Sequence, residues 1–113
     1  MEKDYVALLK GENYEFIGGK ENKKTGTITL GYYKYAPHVF EVIKQVLGEE
    51  IIANYVEFIK DIEKKEISEL SLQEVKTYFT AIDRGERFCD GHIANYLNKG
   101  IFLKLYERYL ELC

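Results

Sequence analysis

The hydrophobic pattern changes period at Pro37, and that change constrains the fold more than any other feature of the chain. Before it, Ile28, Leu30 and Tyr32 alternate with Thr27, Thr29, Gly31 and Tyr33. Such alternation marks a strand with one covered face. After it, Val39, Val42, Ile43, Val46 and Leu47 follow the spacing of an amphipathic helix. Pro37 suits the first helical turn, where its missing N–H has no partner to lose. Gly48 is placed to close that helix. A strand running straight into a helix predicts a mixed α+β domain.

The flanking segments extend this reading. Asn13 to Ile17 reads as a second strand, joined to Thr25–Tyr35 through a polar loop over Gly18–Lys24. The two strands are expected to pair as an antiparallel hairpin, with helices covering one face because a lone hairpin is marginal. Met1 to Leu9 reads as a short helix with Tyr5, Leu8 and Leu9 on one side. Glu50 to Ile62 fits a helical stripe through Ile51, Tyr55, Ile59 and Ile62, with a strand as the alternative. Asp61 to Leu70 reads as a charged loop. Ser71 and Glu74 match a capping box, which opens a helix with Leu72, Val75, Phe79 and Ile82 inward and Gly85 as its stop. Asp90 is placed to cap a short helix with Ile93, Ala94 and Leu97 inward. After Gly100 a last helix turns Phe102, Leu105, Tyr106, Tyr109 and Leu112 inward and Lys104, Glu107, Arg108 and Glu111 outward. The expected fold is therefore a small, helix-dominated α+β domain with an N-terminal antiparallel hairpin and four to five helices. Residues 1–113 form one domain, as the length suggests.

Composition narrows the function. The net charge is -3 and carries no acidic or basic block, which disfavours a nucleic-acid partner and a DNA mimic alike. No stretch approaches the length of a membrane span, and Met1-Glu2-Lys3-Asp4 does not open a signal peptide. Two cysteines make no disulfide framework, so the expected compartment is the cytoplasm. Ten tyrosines and no tryptophan are the unusual count. Tyrosine buries a ring and keeps a polar tip, so it suits a core boundary or an interface.

The densest chemistry lies in Asp83-Arg84-Gly85-Glu86-Arg87-Phe88-Cys89-Asp90-Gly91-His92. Read structurally, this run is a corner between two helices. Arg84 and Arg87 favour the C-terminal end of the first helix, Glu86 and Asp83 pair with them, and Phe88 wedges between. Read functionally, the two guanidinium groups and the N–H groups of Gly91 and His92 hold a small anion or nucleotide, with Tyr33 and Tyr35 stacking nearby. Cys89 and His92 also form a candidate thiol–imidazole pair. His38, Cys89, His92 and Cys113 match a zinc ligand count but not a zinc spacing. No metal or cofactor is implied, and no phosphate-binding glycine loop is present. Helices after Asp90 invite a helix-turn-helix reading, but Glu107 and Glu111 oppose it.

The same run resembles a bacterial and phage family of unknown function, family 6508. The resemblance rests on Arg84, Glu86, Arg87, Phe88, Gly91 and Gly100, with Tyr35 ending a strand before the apolar helix Val39–Leu47. It covers roughly residues 26–112 and is distinctive over the C-terminal thirty or so. It implies a fold unit and a bacterial or phage setting, and no activity. A host-directed, anti-defence role would follow from a phage setting alone. The resulting expectation is a non-enzymatic binding or adaptor domain. It binds a protein or itself, with Tyr32, Tyr33 and Tyr35 at the interface. Anion or nucleotide capture by Arg84, Arg87, Gly91, His92, Tyr33 and Tyr35 is the alternative, and a Cys89/His92 thiol enzyme is third.

Overall fold

The computed structural model describes residues 4–17, 20–22, 27–29, 31–48, 52–87, 89 and 91–112, with no side-chain description at 20–22 and 27–29. The expected roles of Leu30, Ile51, Phe88, Asp90 and Cys113 therefore lie outside the described residues.

A short helix, α1 (Val6–Leu9), comes first, and Tyr5 and Leu9 are buried beside it. Leu8 points outward instead, 47% exposed. Among the described residues four strands follow: β1 (Tyr14–Ile17), β2 (Lys20–Asn22), β3 (Thr27–Thr29) and β4 (Tyr32–Tyr35). β1 pairs with β4 and β2 with β3, both antiparallel. One register carries through both ladders: Ile17 faces Tyr32, and three residues further along each strand Lys20 faces Thr29. The hairpin is thus longer than its polar middle suggests. Lys20–Asn22 is strand, although nothing apolar alternates there. A ladder needs only backbone N–H and C=O groups, so a strand can form without any hydrophobic alternation in its sequence.

The helices build the core. α2 (Pro37–Leu47) starts on Pro37 and buries Val39, Val42, Ile43 and Val46. Its end at Gly48 is as expected, with a φ of 58° there. α3 (Tyr55–Glu63) resolves the ambiguous segment as helix, with Ile62 buried. The charged stretch after it contains a 3-10 turn, Ile67–Glu69, and ends on Leu70, which is fully buried. α4 (Leu72–Glu86) opens with the complete capping box: Ser71 Oγ accepts from the Glu74 N–H, and the Glu74 carboxylate accepts from the Ser71 N–H. Gly85 does not stop this helix, which continues to Glu86. α5 (His92–Asn98) and α6 (Ile101–Leu112) follow.

α4 is the central element, with α2, α3, α5 and α6 packed against it. It buries Val75, Thr77, Tyr78, Phe79, Thr80 and Ile82. Two buried threonines are tolerated because each hydroxyl donates back to a carbonyl of its own helix, Thr77 to Gln73 and Thr80 to Lys76. Phe79 meets Phe102 edge-on at 5.2 Å between ring centres. Each such fully buried apolar side chain contributes about 1.5–3 kcal/mol.

On α6, Tyr106 lies inward as expected, while Arg108 departs from expectation. Tyr106 is fully buried, and its hydroxyl is satisfied there: it accepts from the Tyr5 N–H at 3.2 Å and donates to Gln45 Oε1 at 2.7 Å. Arg108 is not on the wet face. Its Nε donates to the Leu70 carbonyl at 2.9 Å while Nη1 meets Glu111 at 3.1 Å. A long side chain can cover apolar surface with its stem and still place its head on a carbonyl, which a helical wheel does not register.

Candidate functional site

The motif forms the corner between α4 and α5, and the hairpin lies over it. Gly91 sits at the start of α5 with a φ of 87°. The first four N–H groups of a helix lack partners within it. Here all four, from Gly91 to Ala94, are satisfied by the protein itself. Glu86 accepts from the Gly91 N–H at 3.0 Å through Oε2 and from the Ile93 N–H at 2.8 Å through Oε1. The Cys89 carbonyl accepts from the His92 N–H at 3.1 Å. The Tyr35 hydroxyl accepts from the Ala94 N–H at 3.1 Å and donates to Glu86 Oε1 at 2.8 Å.

The anion at this helix start is therefore the protein's own carboxylate. Glu86 was expected to pair with Arg84 or Arg87. Among the described residues neither arginine makes an ion pair, and Glu86 spends its oxygens on two amides and a hydroxyl. Fixed amide donors in a half-buried corner outcompete a flexible guanidinium on the surface. The amides of Gly91 and His92, expected to hold a ligand, are both taken. Arg84 is half-buried and Arg87 exposed at the end of α4.

Gly85 and His92 explain each other. A Cβ at Gly85 would stand 2.2 Å from the His92 ring, so the glycine clears the space where the imidazole lies. The ring then meets Tyr96 edge-on at 5.1 Å, and Tyr96 meets Tyr78 edge-on at 5.9 Å. Burial pushes the Tyr78 hydroxyl up to about 12, with Tyr96 and Glu63 adding to it. His92 is thus part of an aromatic seam between α4 and α5. Cys89 is exposed, and its backbone bonds to Gly85 and His92. His38 is half-buried and meets Asn13 Oδ1 at 2.7 Å, and burial lowers its pKa. Among the described residues no three or more His, Cys, Asp or Glu groups gather into a metal site.

The hairpin divides the three candidate tyrosines. Alternation along β4 puts Tyr33 and Tyr35 on one face and Tyr32 on the other. The inner face lies on α5. Tyr33 packs against Gly91, where a Cβ would come within 2.6 Å of its ring. Tyr35 reaches Glu86 and Ala94, and the Tyr14 hydroxyl donates to Asn98 Oδ1 at 2.7 Å. Tyr14, Phe16, Tyr33, Tyr35 and Phe40 form a continuous chain of ring contacts between 5.0 and 6.4 Å. The outer face carries Glu15, Ile17, Tyr32 and Lys34, with Tyr32 48% exposed. Phe16 ends the inner row and is 57% exposed. Residue type alone did not separate Tyr32 from Tyr33. Strand parity did, once the register was known.

Elsewhere, a groove of about 410 Å³ runs between α3 and α4, lined by Ile52, Phe58, Ile62 and Thr77 with Lys65 and Glu74 at its edge. Among the described residues no helix is long and apolar enough to cross a membrane. No curated protein and no solved structure matches this chain. A family model does match, a family of unknown function, DUF6508, over residues 4–113. The match takes in the hairpin, the capped central helix and the Glu86 corner together, and the chain belongs to that family.

Proposed function

We propose that this protein is a non-enzymatic binding module that docks a protein partner on the outer face of its hairpin. The supporting observation is Tyr32. It is a large ring, 48% exposed, on a two-stranded ribbon whose other face is already occupied by α5. A two-stranded ribbon is marginal alone, and tyrosine is a favoured interface anchor. Tyr33 and Tyr35 take a supporting part, because they hold the ribbon to the helices and so present Tyr32 rigidly. The setting we propose is the cytoplasm of a bacterium or an infected bacterium.

Affinity purification of wild type and Tyr32→Ser at matched expression tests this. Loss of the recovered protein, whether foreign or a second copy, with an unchanged melting temperature supports the reading. Recovery of the same set by both proteins overturns it. The anion-capture reading retains only the Arg84 and Arg87 guanidinium groups, since the amides it needed are bonded to Glu86 and Cys89.

A further inference from the structure

We infer that the partner on the outer hairpin face is a second copy of this chain. The inference rests on the proposed docking role of that face and names its occupant. The outer face of β1 and β4 is a two-by-two patch. Glu15 lies beside Lys34, and Ile17 lies beside Tyr32, each pair directly across the ladder. Glu15 and Lys34 are both exposed, and among the described residues they form no ion pair with each other or with any other group.

This arrangement is complementary to itself under one symmetry operation. A two-fold axis parallel to the strands, lying above the line between β1 and β4, lays a second hairpin face to face on the first. Position along the strand is kept, and β1 of one copy covers β4 of the other. Glu15 then stands over Lys34 of the other copy, and Lys34 over its Glu15. Ile17 covers Tyr32 twice in the same way. The charges meet opposite charges and the apolar side chains meet each other. A two-fold axis across the strands would bring charged residues onto apolar ones or like onto like, which is disfavoured. Closed two-fold dimers of this isologous kind are the commonest assemblies.

Two four-residue strands offer far less than the ~800 Å² per partner of a long-lived complex. The dimer is accordingly concentration-dependent, and its exposed Glu15–Lys34 pairs weaken with salt.

The test uses the full chain in analytical ultracentrifugation, with folding of each variant checked by circular dichroism. For wild type, the average mass rises from 13.2 kDa toward twice that value with concentration. Glu15→Lys and Lys34→Glu each stay monomeric, because each puts like charges across the axis. Mixed in equal amounts, the two variants form a one-to-one heterodimer, because each then meets its opposite. Pairing of Glu15 with Lys34 inside one chain cannot produce that recovery. A wild type that stays monomeric at every concentration overturns the inference, as does a dimer that survives in both single variants. If wild type is monomeric but Tyr32→Ser still loses a foreign partner, the second-copy inference fails alone. If Tyr32→Ser loses nothing, both fail.

Discussion

The Tyr35 hydroxyl and the Glu86 carboxylate meet at 2.8 Å across 51 residues of sequence. Through this bond the hairpin and the start of α5 are fastened to the end of the central helix. Glu86 takes the place of a cap residue for α5, although it belongs to the helix before it.

Removing that carboxylate leaves two helix-start amides and a hydroxyl without their acceptor. Glu86→Ala is expected to cost about 2–4 kcal/mol, near the sum of a lost cap and a lost charge-assisted bond. Tyr35→Phe removes the acceptor of the Ala94 N–H and one donor to the carboxylate, and is expected to cost about 1–2 kcal/mol. Urea denaturation of both singles and the double measures this. The double is expected to cost less than the two singles added, because they share one bond. Full additivity would contradict the shared network.

Gly85 and His92 predict a reversal of sign. Gly85→Ala forces the His92 ring out of its seat and destabilises the protein, despite the better helix propensity of alanine. In a His92→Ala background the clash is gone. Gly85→Ala should then stabilise, by up to ~1 kcal/mol. Thermal melts of the four proteins decide it, and a destabilising effect in both backgrounds would refute the assignment.

Gly91 carries two separate penalties. Its φ of 87° is hard for an L side chain, and a Cβ there meets the Tyr33 ring. Gly100 shares a positive φ of 75° but has open space around it. Gly91→Ala is therefore expected to cost more than Gly100→Ala, which should lose about 1 kcal/mol. Pairing Gly91→Ala with Tyr33→Ala should reduce the difference, read from the same denaturation curves.

Two titrations bound the pH range of stability. The hydrogen bond from Lys65, at 2.6 Å, and then the Ser71 N–H hold the Glu74 carboxyl below its ordinary value. A depressed folded pKa stabilises above the unfolded value and is lost as pH falls through the folded one. Glu74→Gln should therefore flatten the acid limb of the stability curve below about pH 4.5. Tyr78 runs the other way. Its folded value is raised to about 12, so its contribution is complete below pH 10.0 and is lost as pH climbs toward 12. Tyr78→Phe should flatten the alkaline limb, and tyrosinate absorbance should show one late-ionising group fewer. Burial raises Tyr96 and Tyr106 as well, so part of the limb remains.

Much of the fold was written locally. The change of period at Pro37, the Ser71–Glu74 box, and the inward stripes of α2, α4 and α6 are each decided within a few residues, by dihedral preference and near-neighbour hydrogen bonds. That is why the α+β character, the central helix and most of the core were legible in the sequence alone. Partners in space were not. Whether Glu86 would meet an arginine next door or an amide around the corner depends on where α5 lies. Whether Arg108 faces water depends on where the chain carries Leu70. Tyr32, Tyr33 and Tyr35 look alike in sequence, and only the ladder register together with the docking of α5 makes two of them structural and leaves the third exposed. The sequence by itself determined the elements, because their energetics are short-ranged. The tertiary structure decided the roles of the polar and aromatic side chains, because a carboxylate or a tyrosine tip takes its function from whichever group the packed core brings within hydrogen-bond reach.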